Sequence, residues 1–115
     1  KSVSPTLLWS YIGTKNGLAD WFADDVQNEE KLFTFFWNKS SQQAHQIAVR
    51  SGSYIRFHWL DDEDEKSFFE LRISSSELTG ATMLVITDFA YPDEMADSRG
   101  LWDHQIETLR RKLGV

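Results

Sequence analysis

Asp93–Val115, with the sequence DEMADSRGLWDHQIETLRRKLGV, has the pattern of one amphipathic α-helix. Apolar residues recur there at the spacing of a single helical face, namely Trp102, Ile106, Leu109 and Leu113. Charged residues occupy most of the remaining positions of this segment. Because a helix with one apolar face is stable only against another apolar surface, we expect the rest of the chain to supply one.

Both ends of this helix are marked in the sequence. Pro92 and two acidic residues suit the start of a helix, and the basic run 110–112 before Gly114 suits its end. Gly100 weakens the helical pattern between them. Two alternatives therefore remain, a helix over the whole segment or a turn at 93–97 followed by a helix from about Ser98.

Composition excludes several classes of protein. Twelve basic and eighteen acidic residues give a net charge of −6, which disfavours nucleic acid as a partner. The absence of cysteine excludes disulfides and thiolate sites and favours a reducing compartment, so we expect a cytoplasmic location. No apolar run is long enough to span a membrane. At 115 residues we expect a single domain with one core.

Two short helices are predicted near the N-terminus. Ser4-Pro5 is typical of a helix start, and Gly13 is expected to end that helix. A second helix is predicted from Asn16 to about 23–25.

From Glu30 onward the apolar period changes to two, which predicts strands. The predicted strands are Lys31–Trp37, Ala44–Arg50, Tyr54–Leu60, Phe69–Ile73 and Met83–Phe89. Because Lys31–Trp37 is apolar on both faces, we expect this strand to be covered on both sides. Short connections, including a polar hairpin tip at 61–65, predict an antiparallel sheet. The fold class is therefore α+β.

Three segments resemble the START-like superfamily, also called SRPBCC or Bet v-like: Leu8–Ile12, Gly17–Phe22 and Leu101–Leu109. Within it they are most similar to the AHSA-type relatives of the heat-shock chaperone ATPase activator. The resemblance covers nearly the whole chain and implies a single helix-grip domain at 1–115. In that fold a curved antiparallel sheet wraps a long C-terminal helix, two short helices lie near the N-terminus, and a cavity for apolar ligands lies between sheet and helix.

The N-terminal segment departs from the family pattern. Members usually begin with a strand, whereas this chain reaches Ser4-Pro5 after three residues. We expect the family's first strand to be missing before Lys1, and the sheet edge left open would favour strand addition or a homodimer.

An aromatic set provides candidates for a ligand cavity, since such sites are concave and mainly apolar. Its members are Trp21, Phe33, Phe35, Trp37, Phe57, Trp59, Phe69 and Trp102. The alternative is that each fills an ordinary core, which a helix-on-sheet domain of this length also requires. The alternation of these residues along the strands does not decide between a ligand cavity and an ordinary core.

Polar residues provide no complete catalytic or metal site. Arg56, His58, Glu70 and Arg72 are predicted on neighbouring strands, either as charge pairs on a solvated face or as a polar site in the cavity. His58 is the acid–base candidate. The acidic run 61–65 does not match an EF-hand, because Lys66 stands at the glycine position. We therefore predict no metal, no cofactor and no catalytic residue.

Three functions are compatible with these observations. The leading hypothesis is non-catalytic binding of an apolar or amphipathic small molecule, such as a lipid, under the C-terminal helix. The alternative is a protein-interaction module resembling a chaperone ATPase activator. The third, an enzyme of the cyclase or hydratase kind, requires a polar group such as His58 or Arg56 to point into the cavity.

Overall fold

The computed structural model describes residues 3–115, in which two short helices precede a six-stranded sheet and a long helix follows it. The helices are α1 (Pro5–Ile12), α2 (Lys15–Trp21) and α3 (Met95–Leu113), and a single 3-10 turn, Pro92–Glu94, leads into α3. The strands are β1 (Asp25–Glu29), β2 (Leu32–Trp37), β3 (Ser40–Arg50), β4 (Tyr54–Trp59), β5 (Phe69–Ser75) and β6 (Thr82–Thr87). They lie in chain order, each antiparallel to the next. The predicted α+β helix-grip fold, a curved sheet with a long C-terminal helix, is confirmed.

Side-chain caps and one glycine set the geometry of the N-terminal helices. The Ser4 hydroxyl accepts a hydrogen bond from the backbone N–H of Leu7, and the Thr14 hydroxyl accepts one from Gly17. Gly17 is buried where α2 crosses α1, and a Cβ atom there would collide with the backbone carbonyl oxygen of Ser10. The close approach of the two helices therefore requires glycine at this position.

The core lies between the inner face of the sheet and the three helices. Its largest fully buried side chains are those of Phe35, Phe57, Phe69, Ile12, Leu18, Ile55 and Leu71. The three phenylalanines come from β2, β4 and β5, and their rings contact one another directly or through neighbouring aromatic rings. Strand alternation therefore directs one aromatic face toward the helices, as the period of two predicted.

The C-terminal helix is continuous from Met95 and includes Gly100. A start at about Ser98 is therefore wrong, although a separate turn does precede the helix. One interior glycine costs a helix only about 1 kcal/mol, which the surrounding nineteen-residue helix tolerates. Leu109 is buried and the half-buried Trp102 and Leu113 pack against the core, which confirms these three positions of the predicted packing face. Ile106 is half-buried and is not packed against the core, and the neighbouring Gln105 is buried instead. Gly114, with a φ of 77°, ends the helix as expected.

Among the first strands, one was missed and one prediction is wrong. β1 was not predicted, because Val26 is its only buried residue and no alternation marks it. β2 is not covered on both sides, since Phe36 on its outer face is 37% exposed. In the described part of the chain, all three helices pack on the other face of the sheet.

The third strand is longer and less regular than predicted. β3 begins at Ser40 rather than Ala44, which shortens the preceding turn to Asn38 and Lys39. The register shifts between Gln46 and Ala48, so Ile47 lies in a β-bulge.

Candidate functional site

A cleft of about 380 Å³ lies between the N-terminal half of α3 and the adjacent end of the sheet. Its apolar walls are formed by Phe22, Trp37, Trp59, Leu101 and Trp102. Its polar lining consists of Ser40, Gln42, Asp88, Ser98 and Gln105. This volume and this mainly aromatic lining are typical of small-molecule sites, which measure about 300–1,000 Å³.

Two tryptophans approach each other across β3 on the sheet wall of the cleft. Trp37 ends β2 and Trp59 ends β4, with β3 between these strands. Trp37 is paired with Ser40, and Trp59 with Ala44. The two indole ring centroids are 6.3 Å apart. Because both rings are only half-buried, they leave aromatic surface available at the cleft.

The opposite wall is formed by Trp102 and the turn of α3 before it. The Trp102 indole Nε1–H donates to Asp88 Oδ2 over 2.9 Å, which ties α3 to the end of β6. The Trp102 ring centroid lies 5.6 Å from that of Phe22. Leu101, one residue earlier, is 61% exposed. The first half of α3 therefore forms one wall of the cleft.

A shared backbone acceptor holds the base of the cleft together. The carbonyl oxygen of Phe22, at the C-terminal end of α2, accepts hydrogen bonds from Gln105 Nε2 over 2.8 Å and Trp37 Nε1 over 3.2 Å. Carbonyls at helix ends lack the usual intrahelical partner, so these two donors satisfy this one and join α2, β2 and α3. Gln105 is 8% exposed.

Three of the aromatic candidates for ligand binding meet at this cleft: Trp37, Trp59 and Trp102. The other five candidates are packed in the core instead, namely Trp21, Phe33, Phe35, Phe57 and Phe69. Their side chains are at most 5% exposed, because they lie farther along the strands or between α1 and α2. Trp21 donates its indole N–H to the backbone carbonyl of Tyr11 over 2.8 Å.

Sequence reasoning did not identify several residues of the cleft. Phe22 was not named as a cavity candidate, and Gln105 was not singled out. Gln105 precedes the predicted apolar position Ile106 and lies three residues after Trp102, so its place beside the apolar face of α3 was a usable signal. No sequence pattern identifies Asp88 as a cleft residue, because its place in the cleft depends on where β6 meets α3.

The polar candidates lie on the outer face of the sheet, away from α3. Arg56 Nη2 lies 2.7 Å from Glu70 Oε1 across the paired strands β4 and β5, and Arg72 Nε lies 3.0 Å from Glu70 Oε2. The hydrogen bond from Arg72 is the main cause that lowers the pKa of the Glu70 carboxyl below its usual value. The predicted cross-strand charge pair is therefore confirmed.

The hypothesis that His58 or Arg56 points into the cavity is wrong. Both residues alternate along β4 with the inward-facing Phe57 and Trp59, so strand geometry directs them to the other side. His58 donates from Nδ1 to the backbone carbonyl of Ser67 over 2.8 Å.

A family model for the START-like superfamily domain matches residues 1–115, the whole chain. The chain belongs to the START-like superfamily. Among curated proteins, by contrast, no sequence matches this START-like chain. In the part of the domain that the structure describes, no helix is both long and apolar enough to cross a membrane.

Three solved structures are similar to this START-like domain. A solution NMR structure of a Bacteroides fragilis protein is 48% identical, covers 96% of this chain and 84% of its own, and has a TM-score of 0.61. The Aha1 dimer from Colwellia psychrerythraea is 15% identical, with coverages of 97% and 89% and a TM-score of 0.78. A Bacillus thuringiensis protein is 13% identical, with coverages of 97% and 92% and a TM-score of 0.74. The last two likenesses support the fold alone.

Proposed function

We propose that this START-like domain binds an apolar or amphipathic small molecule, without transforming it, in the cleft under the N-terminal half of α3. The observation that carries the proposal is the aromatic surface of Trp37, Trp59 and Trp102 around a space of about 380 Å³. Aromatic side chains with accessible surface in a concave site are typical of ligand binding. The core beside the cleft is closely packed, so a ligand would occupy the cleft rather than the interior of the sheet.

The size of the cleft limits the affinity that we expect for a ligand. A ligand that buries about 200 Å² of apolar surface gains roughly 5 kcal/mol at about 25 cal/mol per Å². Part of this free energy offsets the lost translational and rotational freedom of the ligand. We therefore expect dissociation constants in the micromolar to millimolar range for simple amphiphiles, and tighter binding only for a ligand that matches the shape of the cleft.

Exchanging one exposed wall residue tests the site without disturbing the core. Leu101 lines the cleft and is 61% exposed, so Leu101→Gln is expected to leave the unfolding midpoint nearly unchanged. It should weaken binding of an octyl-chain amphiphile about tenfold, because the side chain contributes about 1.5 kcal/mol of apolar contact. Leu78→Gln is the matched control, since Leu78 is 96% exposed and does not line the cleft.

Binding is read from the indole N–H signals in a two-dimensional NMR titration. We expect the indole N–H signals of Trp37, Trp59 and Trp102 to shift when a ligand is added. The signal of Trp21 should not shift, because this residue lies in the core. Native mass spectrometry of protein purified from its source cells adds a direct search for a ligand that is released on denaturation. The proposal fails if no mass excess is seen and none of the three cleft indoles responds to any amphiphile.

A protein-interaction role is the second candidate, supported by the outer face of the sheet. Phe36, Met83 and Val85 on this face are 37–40% exposed, and the described helices leave them uncovered. The Aha1 structure of similar fold is a dimer, which is a property of that protein. If this face joins two copies of the chain, sedimentation velocity should show a concentration-dependent dimer that Val85→Lys abolishes. A monomer at all concentrations would exclude the homodimer.

A further inference from the structure

We propose that the cleft selects amphiphiles with a cationic head group over those with a carboxylate or another anionic head group. This inference rests on the proposed function and specifies the chemical class of its ligand. Among the described residues that line the cleft, the single charged side chain is that of Asp88, and no lysine or arginine contributes. A buried or half-buried anionic head would therefore meet a carboxylate and find no cation to pair with.

The aromatic rings of the cleft add a second attraction for a cation. Trp37, Trp59 and Trp102 are half-buried and line the same space as the Asp88 carboxylate. The face of an indole ring carries negative electrostatic potential and attracts organic cations, more strongly than phenylalanine or tyrosine does. Apolar contact with the alkyl chain and attraction of the head group can thus be provided by the same side chains.

The surroundings of the cleft carry further negative charge. Gln42, which lines the cleft, donates from Nε2 to Asp61 Oδ2 over 3.1 Å, so a second carboxylate lies beside it. The segment from Asp88 to Asp103 contains five carboxylates and one basic residue, Arg99. Arg99 does not line this cleft but an adjoining one of about 450 Å³, which shares Asp88, Ser98 and Trp102 with it. The electrostatic potential at the first cleft is therefore expected to be negative.

The carboxylate of Asp88 keeps acceptor capacity for a ligand. Its Oδ2 accepts from the Trp102 indole, and its Oδ1 accepts from the backbone N–H of Phe89. An ionised carboxylate offers about four lone-pair sites, so two such bonds leave room for a further contact. These two bonds also hold the carboxylate in place at the end of β6.

Three probes with the same octyl chain test the inference: octyltrimethylammonium, octyl glucoside and octanoate. Their dissociation constants are measured by NMR titration of the indole signals, on the wild-type chain and on Asp88→Asn. The amide retains an oxygen that can accept from Trp102 but removes the charge. The control is Glu77→Gln, which also removes one negative charge. Glu77 lies in the β5–β6 turn, at the other end of β6. Thermal unfolding verifies that each variant is folded.

We expect the cation to bind roughly fivefold more tightly than the glucoside, the size of one cation–π contact at a half-exposed ring, and octanoate to bind more weakly than both. Asp88→Asn should reduce the preference for the cation, and Glu77→Gln should not. Equal binding of the three probes by the wild-type chain, or tighter binding of octanoate, overturns the inference and leaves the proposed ligand site intact. Absence of binding by all three overturns the proposed function itself.

Discussion

Glu70 shows how a single side chain organises the outer face of the sheet. Glu70 is only 5% exposed. Its carboxylate is stable in this buried position because Arg56 and Arg72 both donate hydrogen bonds to it. The two guanidinium groups also stack on aromatic rings, Arg56 over Phe68 at 4.3 Å and Arg72 over Tyr54 at 4.2 Å. Removing the charge of Glu70 would leave two neighbouring cations without a partner.

The stability provided by Glu70 should disappear in acid. The pKa of this carboxyl is lowered in the folded chain from its ordinary value of 4.5, mainly by the Arg72 hydrogen bond. The folded state therefore binds the proton less tightly than the unfolded state does. The contribution of Glu70 to the free energy of unfolding is complete above pH 4.5. It is lost as the pH falls through the pKa that Glu70 has in the folded state. At pH 7, Glu70→Gln should lower the free energy of unfolding by about 1–2 kcal/mol.

Urea unfolding of wild type and Glu70→Gln between pH 3 and 7 measures this contribution. The difference between the two chains should be largest near neutral pH and shrink below pH 4.5. Glu77→Gln, at an exposed position outside the described ion pairs, is expected to show little difference at any pH. A Glu70→Gln difference that is the same at pH 3 as at pH 7 would exclude the ion pair as its cause.

At the scale of the elements, Gly100 is a weak position in α3 that packing does not require. Apart from its chain neighbours and the backbone of its own helix, a Cβ atom built on Gly100 meets no atom within 4 Å, and the residue is exposed. Gly100→Ala should therefore raise the free energy of unfolding by about 0.5–1 kcal/mol, because alanine loses less backbone entropy in a helix. Chemical denaturation measures the change. Destabilisation would show that the helix is distorted or contacted at this point.

The same helix shows what periodicity can and cannot predict. The spacing of Trp102, Leu109 and Leu113 was sufficient for the packing face, because a 3.6-residue repeat assigns each side chain to one side. The alternation of apolar residues also predicted five of the strands. β1 was missed because Val26 is its only buried residue. The resemblance implied a cavity between sheet and helix, but its position along the sheet could not be predicted, since alternation places Trp37 and Phe35 on one face without indicating how far along it α3 extends.

For the molecule as a whole, α3 supplies the surface that completes the core. Leu109 is 3% exposed, and Trp102 contacts Phe22 and Phe69 with ring centroids 5.6 and 6.0 Å apart. Burial of a large apolar side chain contributes about 1.5–3 kcal/mol, so the packed residues of α3 together provide more than about 5 kcal/mol. That amount is comparable to the whole stability of an ordinary domain.

A chain that ends at Glu94 should therefore fail to fold cooperatively. Without α3, the carbonyl of Phe22 loses its bond from Gln105, and the aromatic rings beneath Trp102 are exposed to water. We expect weak near-ultraviolet circular dichroism, a broad urea transition and binding of a hydrophobic dye. A chain ending at Leu113 is the control, because it keeps the whole helix and should unfold sharply. If the chain ending at Glu94 also unfolds sharply, with a similar midpoint, then α1, α2 and the sheet form a stable core by themselves, and α3 acts as a cover for the cleft.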